Sequence, residues 1–452
     1  MTERADEGVE ELARSLAGSV VRPQDAEYDR ARRGFNAFVD RRPALIVRCV
    51  GARDVATAFD FARSHGLEVA VRGGGHNPAG HCVLDDGLVI DVSPMRTVEV
   101  DVDARVARSA GGATWLDFDA ATQAFGLAAA GGIVGSTGVA GLTLGGGIGH
   151  LTAPHGLTCD NLVAAELVTP DGAAVRASAD ENPDLLWGLR GGGGNFGVAT
   201  RLEFRLHPLE RVVGGKLVFR GDGAAEALRR FRDLVADSPP DLSCQAVLTA
   251  DDSLTPVVVV LPCSTGPHAR PEALEALRAA PGLVEDSVRE HSFLDQQGLI
   301  DSGYGVNRHY WKGHFVRELP DELIDELVAR VLALGRPPGD VLIESLHGGP
   351  KDVAPESAAL GFRGAAFNVS ATATWRDAAH DEEHIRWARE TAAALEPWTH
   401  GGGGYVNYMQ ADEPIERVRA AFGAEAFERL QALKRRYDPE NVLRRNQNVP
   451  PQ

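Results

Sequence analysis

Glycine is concentrated in four dense clusters along this chain, and this distribution limits the possible folds more than any other feature. Of 452 residues, 51 are glycine, and the clusters lie at 73–75, 131–149, 191–197 and 401–404. Short apolar segments typical of strands separate the first clusters. A glycine loop after a strand exposes consecutive backbone N–H groups and tolerates positive φ, so it can wrap closely around a phosphate. Several such loops predict a long ligand that is held from several sides.

Common phosphate-binding motifs do not explain these clusters. The sequence contains no G-x-x-x-x-G-K-[ST] motif, which excludes a P-loop NTPase. Residues 192–197 match G-x-G-x-x-G, but the segment that follows, 198–204, has the alternation of a strand where a Rossmann site requires a helix. The clusters therefore predict a dinucleotide bound outside a Rossmann fold. For any single loop, a simple tight turn is the alternative interpretation.

Charge and cysteine content exclude several classes of protein. The net charge is −18, which argues against binding to nucleic acid or to anionic membranes, because both require a basic surface. The five cysteines are scattered and include no C-x-x-C pair, so we expect neither a disulfide framework nor a metal site. No apolar segment is long enough to span a bilayer, and no apolar leader is present at the N-terminus. These features predict a cytoplasmic protein.

The glycine content and the pattern of apolar residues change near residue 212. Before it, short strand patterns and helical patterns alternate and meet at glycine turns, which predicts an α+β domain over 1–211. After it, glycine becomes rarer and longer strand and helix patterns continue to about residue 400. We therefore predict a second domain over 212–400. An amphipathic helix over 425–437 belongs to the remaining C-terminal segment, 401–452.

Several segments resemble the berberine bridge enzyme-like FAD oxidases of the vanillyl-alcohol oxidase superfamily. RGGGHNPAG at 72–80 is similar to the first flavin loop of that family, GLTLGGGIG at 141–149 to the second, and LWGLRGGGGNFGV at 186–198 to the third. Near the C-terminus, YVNY at 405–408, YDPEN at 437–441 and NQNVPP at 446–451 resemble the family's last segment. The resemblance runs from about residue 42 to the end. Bacterial members that tailor secondary metabolites, and 6-hydroxynicotine oxidase, look most similar.

This resemblance implies a fold and a cofactor. The fold would be a PCMH-type FAD-binding domain with its core at about 41–211, a substrate domain whose antiparallel sheet is backed by helices, and a C-terminal segment that returns to the FAD domain. The active site would lie between the two domains. The implied FAD-binding residues are Arg72, Gly73, Gly74, Gly75, His76, Asn77, Gly80, Val134, Gly138, Gly141, Gly146, Val198, Asn407 and Gln447.

The resemblance also implies how FAD is attached. In the family, the histidine of the first loop bonds through a ring nitrogen to the flavin 8α-methyl group, and that residue is His76 here. A neutral imidazole is a good nucleophile for this step. Many members have a second link from a cysteine to flavin C6, but Val134 stands at that position, so we expect one covalent bond. The alternative, Cys82, is interpreted as a small hydrophobic strand residue.

Three catalytic residues follow from the same resemblance. Tyr405 matches a tyrosine that faces the substrate side of the flavin, and we expect it to act as the base, with its pKa lowered by a cation or the flavin dipole. Asn407 would point to the same side of an extended segment and bind the flavin pyrimidine edge. Thr137 matches the position that gates oxygen access, although a loop threonine usually bonds its own backbone. Ser370 occupies the place of a Glu or Gln base in plant relatives.

Four further residues are candidates for substrate contact: His150, His155, Tyr310 and Glu344. For each histidine the alternative is a hydrogen-bonded structural residue, and for Tyr310 it is packing in the core. The predicted function is an FAD-dependent oxidase of a small aromatic or polycyclic secondary metabolite, with electrons passed to O₂ to give H₂O₂. The alternatives are an oxygenase in polyketide tailoring, a flavin-containing drug- or metabolite-binding protein, and a dehydrogenase that uses another acceptor. A carrier-bound substrate and a monomeric or homodimeric state are both compatible with the sequence.

Overall fold

The computed structural model describes residues 3–266, 271–300, 304–335 and 339–452. The strands are β1 (Ser19–Val21), β2 (Leu45–Arg48), β3 (Val69–Arg72), β4 (Leu88–Asp91), β5 (Val98–Asp101), β6 (Val106–Ala110), β7 (Leu127–Ala128), β8 (Leu162–Val168), β9 (Ala174–Ser178), β10 (Val198–Arg205), β11 (His207–Pro208), β12 (Val212–Gly214), β13 (Leu217–Arg220), β14 (Leu242–Ala250), β15 (Pro256–Ser264), β16 (Leu283–Asp286), β17 (Arg289–His291), β18 (Arg308–Val316), β19 (Gly339–Ser345) and β20 (Phe367–Trp375).

The helices are α1 (Glu3–Ser15), α2 (Tyr28–Ala31), α3 (Ala52–Ser64), α4 (Trp115–Gln123), α5 (Val139–Leu144), α6 (Thr152–His155), α7 (Pro183–Leu189), α8 (Ala224–Asp237), α9 (Glu275–Arg278), α10 (Phe293–Gln297), α11 (Asp321–Ala333), α12 (Gly349–Asp352), α13 (Asp381–Ala393), α14 (Ile415–Phe422) and α15 (Ala424–Tyr437). Among the described residues, none of these helices has the length and apolar character needed to cross a membrane.

The N-terminal half contains two main sheets and a two-stranded sheet of β7 and β11. The first has the order β1-β2-β4-β3, in which β2, β4 and β3 are parallel and α3 makes the crossover from β2 to β3. Continuous apolar runs in β2 and β4 suit this arrangement, because parallel strands are usually covered on both faces. The second sheet, β5-β6-β10-β8-β9, is antiparallel throughout. The first glycine loop follows β3, and the second follows β7.

The second half is built on one large antiparallel sheet with the main order β16-β13-β15-β14-β19-β20-β18. Side chains alternate along each strand. In β14, Ala246 and Leu248 are buried in a core that also contains Leu228 of α8 and Leu327 of α11, whereas Val247 faces the other way. The helices therefore cover one face of the sheet, and the other face is left for the FAD-side loops. The predicted α+β fold with a helix-backed antiparallel sheet is confirmed.

The C-terminal segment packs against the N-terminal half. Helices α14 and α15 share a hydrophobic core with α7, where Leu430 and Leu433 lie in the same cluster as Trp187. Lys434 is fully buried, pairs with Asp438 at 2.7 Å and donates to the Asn195 carbonyl at 3.0 Å. The hydrogen bond from Lys434 to Asn195 connects the third glycine cluster to the last helix. The domain limits at 211/212 and 400/401 stay predictions.

Candidate active site

A cavity of about 660 Å³ lies between the glycine loops and the exposed face of the large sheet. Its walls come from the first three glycine clusters, the C-terminal segment and strands β14, β15, β18, β19 and β20. The structure places these predicted residues on its lining: Gly73, Gly74, Gly75, His76, Asn77, Val134, Thr137, Gly138, Gly141, Val198, Asn407 and Gln447. Residues that lie far apart in the sequence thus meet in one place.

Two kinds of glycine build this cavity. At Gly74 a Cβ atom would lie 2.4 Å from the Gly138 backbone nitrogen, so the first and second loops approach as closely as they do only because both residues lack side chains. At Gly141 and Gly194 a Cβ would meet no atom within 4 Å, although both residues line the cavity. The loops therefore leave an extended space beside exposed backbone, and this space fits a dinucleotide such as FAD.

His76 lies on the cavity wall with its ring held in place from two sides. It stacks on Phe35 with a centroid distance of 4.7 Å, and Nε2 is 2.9 Å from the Ser136 hydroxyl. Burial lowers the pKa of His76 to about 4, so the imidazole is neutral near pH 7. Because Nε2 is engaged with Ser136, Nδ1 is the ring nitrogen available to a ligand. The neutral ring suits the nucleophilic attachment expected from the sequence.

No pattern in the sequence pointed to Phe35, which lies in an irregular stretch before the first recognised loop. Its ring lies between His76 and His309, with a centroid distance of 4.2 Å to the latter. Beside it, Asn36 donates to the carbonyls of Pro78 and His309 at 2.6 and 2.8 Å. This N-terminal segment therefore joins the first flavin loop to β18 of the large sheet.

A second group is centred on Tyr408, which lines the cavity and was missed in the sequence, and it contains Glu344, one of the predicted substrate contacts. Its hydroxyl donates to Glu344 Oε1 at 3.1 Å, and Asn368 Nδ2 donates to Glu344 Oε2 at 2.6 Å. Burial raises the pKa of Glu344 to about 7 and the pKa of Tyr408 well above its usual value. Glu344 is thus a carboxyl group that ionises near neutral pH and contacts the cavity through a tyrosine.

The prediction for Tyr405 is corrected by its position. Tyr405 lies outside the cavity lining, in an aromatic cluster with Phe315 and Phe362. Its hydroxyl accepts hydrogen bonds from the Gly147 N–H and from Asn407 Nδ2, both at 3.0 Å. Burial raises the pKa of its phenol instead of lowering it. Tyr405 therefore supports the second glycine loop and Asn407, and Tyr408 is the tyrosine at the cavity.

Three of the predicted cofactor-binding residues have partners within the chain. The Arg72 guanidinium turns away from the cavity to pair with Asp91 and the Ala31 carbonyl. Gly80 closes a turn, with its N–H donating to the Asn77 carbonyl. Gly146 has φ +111° and lies behind the cavity wall, where its N–H donates to Thr143. None of the three is part of the lining. Cys82 is buried in a turn, not in a strand.

Ser370 lies on the cavity face of β20, but only its neighbours Thr372 and Thr374 reach the lining. Three of the predicted substrate residues lie elsewhere as well. His150 is buried beside Gln296, and His155 stacks on His207 at 3.8 Å. Tyr310 falls on the helix-covered face of β18, because strand alternation sends His309 and Trp311 to the cavity instead.

Comparison with known proteins agrees with this geometry. A family model described as an FAD binding domain matches residues 43–178, and one described as berberine and berberine like matches residues 404–450. The (R)-6-hydroxynicotine oxidase of Paenarthrobacter nicotinovorans is 32% identical over 97% of this chain and 98% of its own. The crystal structure of 6-hydroxy-D-nicotine oxidase from Arthrobacter nicotinovorans superposes with a TM-score of 0.90, at 31% identity over 97% of this chain and 99% of that chain.

Berberine bridge enzyme from Eschscholzia californica has the same fold, with a TM-score of 0.86 at 20% identity over 98% of both chains. The fold and the cavity between its two halves thus define a flavin-dependent oxidoreductase of small molecules. The sequence similarity to the nicotine oxidase extends over nearly the whole length of both chains, so it shows more than a shared fold. The chain belongs to the berberine bridge enzyme-like family of FAD-linked oxidases.

Proposed function

We propose that this protein oxidises a small aromatic or polycyclic secondary metabolite, with O₂ as the electron acceptor and H₂O₂ as the product. FAD, when bound, supplies the two-electron acceptor that takes a hydride from the substrate and passes the electrons to O₂. The observation that carries the proposal is the hydrogen bond from Tyr408, on the cavity wall, to Glu344 behind it. An oxidase of this kind needs such a group, because the substrate must lose a proton as well as a hydride.

In this mechanism, Tyr408 and Glu344 act together as the base. The phenol oxygen of Tyr408 accepts the proton of a substrate O–H or N–H group, while the phenol proton passes to Glu344 Oε1. Glu344 is ready to receive it because its pKa of about 7 leaves a substantial ionised fraction at neutral pH. Asn368 keeps the carboxylate oriented through its bond to Oε2. The tyrosine thus never has to ionise on its own.

The wall opposite the loops favours an apolar, flat substrate. Val247, Val259, Leu261 and Leu342 form an aliphatic surface, and the indole of Trp311 stands beside it. Such a surface stabilises a ring system through burial, at about 25 cal/mol for each Å² removed from water. The similarity to an enzyme named for 6-hydroxynicotine supports a small hydroxylated aromatic substrate.

The proposal includes a single covalent attachment of FAD through His76. In support, the His76 ring is neutral, stacked and on the cavity wall, and Val134 brings an aliphatic side chain to the place where a second link would need a thiol. Thr137 also lines the cavity, and we assign it the predicted role of shaping oxygen access. Its backbone carbonyl accepts from the Trp115 N–H at 3.0 Å, which fixes this part of the loop.

The test is an oxygen-electrode and peroxide assay of purified holoenzyme against a panel of hydroxylated aromatic amines, alcohols and polycyclic phenols. The expected result is saturable O₂ consumption with one H₂O₂ for each substrate oxidised. Flavin reduction by substrate without rapid reoxidation in air would instead indicate a dehydrogenase. Tight binding with no flavin reduction by any compound of the panel would contradict the proposal and favour a binding protein.

A further inference from the structure

One row of side chains crosses the cavity face of the large sheet. Lys216 directly precedes Leu217, which pairs with Val260 of β15, so Lys216 stands opposite Leu261. Leu261 pairs with Gln245 of β14, and Gln245 pairs with Glu344 of β19. Neighbouring strands are about 4.8 Å apart, so three steps separate the backbones of Lys216 and Glu344 by about 14 Å. Lys216 and the Tyr408–Glu344 pair thus lie at opposite ends of this row.

The surface between these ends is aliphatic. Leu261, Val259, Val247 and Leu342 line the cavity there. Side chains of this kind offer no hydrogen bond, so a ligand that lies across them is held by contact and burial alone. A rigid ring system of two or three fused rings matches the length of this surface. Gln245, in the middle of the row, is buried and is not part of the lining, so the charged groups that could orient such a ligand are those at the two ends.

Lys216 differs from the other lysines of the chain. There are four in all: Lys312 pairs with Glu413, Lys434 pairs with Asp438, and Lys351 lies exposed on a surface helix. Lys216 is half-buried on the cavity wall and has no ion-pair partner within the residues that the structure describes. Acidic residues outnumber basic residues in this protein, so a lysine without a carboxylate partner is unusual, and its ammonium group is available to pair with an anionic ligand in the cavity.

Among the residues that the structure describes, no other charge on the same wall neutralises Lys216. Asp340 also lines the cavity, but it lies four residues before Glu344 on β19. This spacing places the Asp340 backbone about 14 Å from the row, measured along the strand. Burial raises its pKa to about 6, and Thr249 provides its hydrogen bond. The remaining cavity cation, Arg445, belongs to the C-terminal segment beside the glycine loops. The missing counter-charge is therefore best supplied by a ligand.

We propose that Lys216 selects substrates that carry an anionic oxygen group, a carboxylate or an ionised phenol, at the end of the molecule that lies away from the bond that is oxidised. The substrate is then a flat, elongated aromatic acid with its reacting end at Tyr408 and its acidic end at Lys216. This inference rests on the proposed function, because it assigns the substrate class of the same cavity. Lys216 acts in recognition and takes no part in the proton transfer.

The test uses binding to the flavin-loaded enzyme and requires no turnover. Anthracene-2-carboxylate and anthracene-2-carboxamide have the same shape and differ in charge, and both can be titrated by the change they cause in the visible spectrum of the flavin. A charge-assisted hydrogen bond is worth about 1.5–3 kcal/mol, so wild type should bind the carboxylate about 10- to 100-fold more tightly. K216M should abolish this preference, and K216R should retain most of it.

Three results would overturn the inference. The first is that wild type binds the two probes equally well or binds neither. The second is that K216M keeps the preference for the carboxylate. The third is that the flavin spectrum of K216M already differs from that of wild type before ligand is added, which would show that Lys216 serves the cofactor. These outcomes are separate from failure of the proposed function. If the enzyme binds the carboxylate selectively yet oxidises nothing, only the proposed oxidase activity fails.

Discussion

The hydroxyl of Tyr408 donates to Glu344 Oε1 across 3.1 Å, and this bond links the C-terminal segment to the sheet of the second domain. Tyr408 lines the cavity, whereas Glu344 is fully buried behind it. The carboxyl group is thereby shielded from solvent but remains connected to whatever occupies the cavity. A proton leaving a ligand at Tyr408 has a defined acceptor, and this relationship is the basis of the first two predictions.

Replacing Tyr408 by Phe should lower kcat by about 100-fold or more, in the range typical for loss of general-base catalysis. The ring remains, so the cavity keeps its shape while the proton path is broken. Steady-state kinetics under O₂ saturation would measure the effect. Tyr310→Phe is the matched control, because the Tyr310 hydroxyl bonds Asp412 outside the cavity. An equal loss in both variants would refute a special role for Tyr408.

The pH dependence should follow the ionisation of Glu344. The base works in its ionised form, and its pKa is raised to about 7, so kcat/KM should rise as the pH increases through about 7 and level off above it. Glu344→Gln should lower activity and remove this limb of the profile, since an amide does not titrate. A wild-type profile that is flat between pH 6 and pH 8, or a limb that survives in the variant, would contradict the assignment.

Two alanine substitutions should separate folding from cofactor binding. Gly74→Ala places a Cβ 2.4 Å from the Gly138 backbone, so it should prevent the two loops from meeting and yield unstable protein. Gly141→Ala places its Cβ in open space on the cavity wall, so that variant should fold normally but hold less FAD. Melting temperature and flavin content per chain distinguish the two effects. Full flavin occupancy in Gly141→Ala would show that this wall is not part of the cofactor site.

Asp119 should make the stability depend on pH. Asp119, on α4, accepts from Gln297, on α10, at 2.7 Å, and burial raises its pKa to about 7. Because the folded state holds this proton more tightly than the unfolded state, the free energy of unfolding should fall as the pH rises from about 4 to about 7. Asp119→Asn should make this fall smaller. Melting curves of both proteins across that range would test it, and parallel curves would contradict it.

The sequence predicted the loops better than the side chains that act between them. Glycine clusters can be located without a structure because close approach, as at Gly74, leaves little other choice, and Gly74 does line the cavity. Tyr405 was assigned from the resemblance alone, and the extended segment that was expected for Tyr405 and Asn407 does not form. The chain turns there instead, with the Tyr408 N–H donating to the Tyr405 carbonyl at 2.8 Å, and the turn brings Tyr408 to the cavity.

The role of Glu344 depends on strand pairing, which no local sequence pattern reveals. The register of β19 with β20 sets Glu344 beside Asn368, and the return of the C-terminal segment places Tyr408 above them. Tyr310 was a reasonable candidate by residue type, but a shift of one position along β18 moves a side chain to the opposite face. Phe35 gave no signal, since its partners His76 and His309 come from two other parts of the chain.

The attachment of the cofactor is the most direct test of the whole account. Protein purified with its bound flavin should be precipitated with acid, washed and digested, and its peptides mapped by mass spectrometry. The account predicts that the yellow colour stays with the protein, that FAD is found on the peptide containing His76 and on no other, and that His76→Ala releases the flavin on precipitation. Flavin that washes out of the wild-type protein, or flavin linked at another residue, would contradict it.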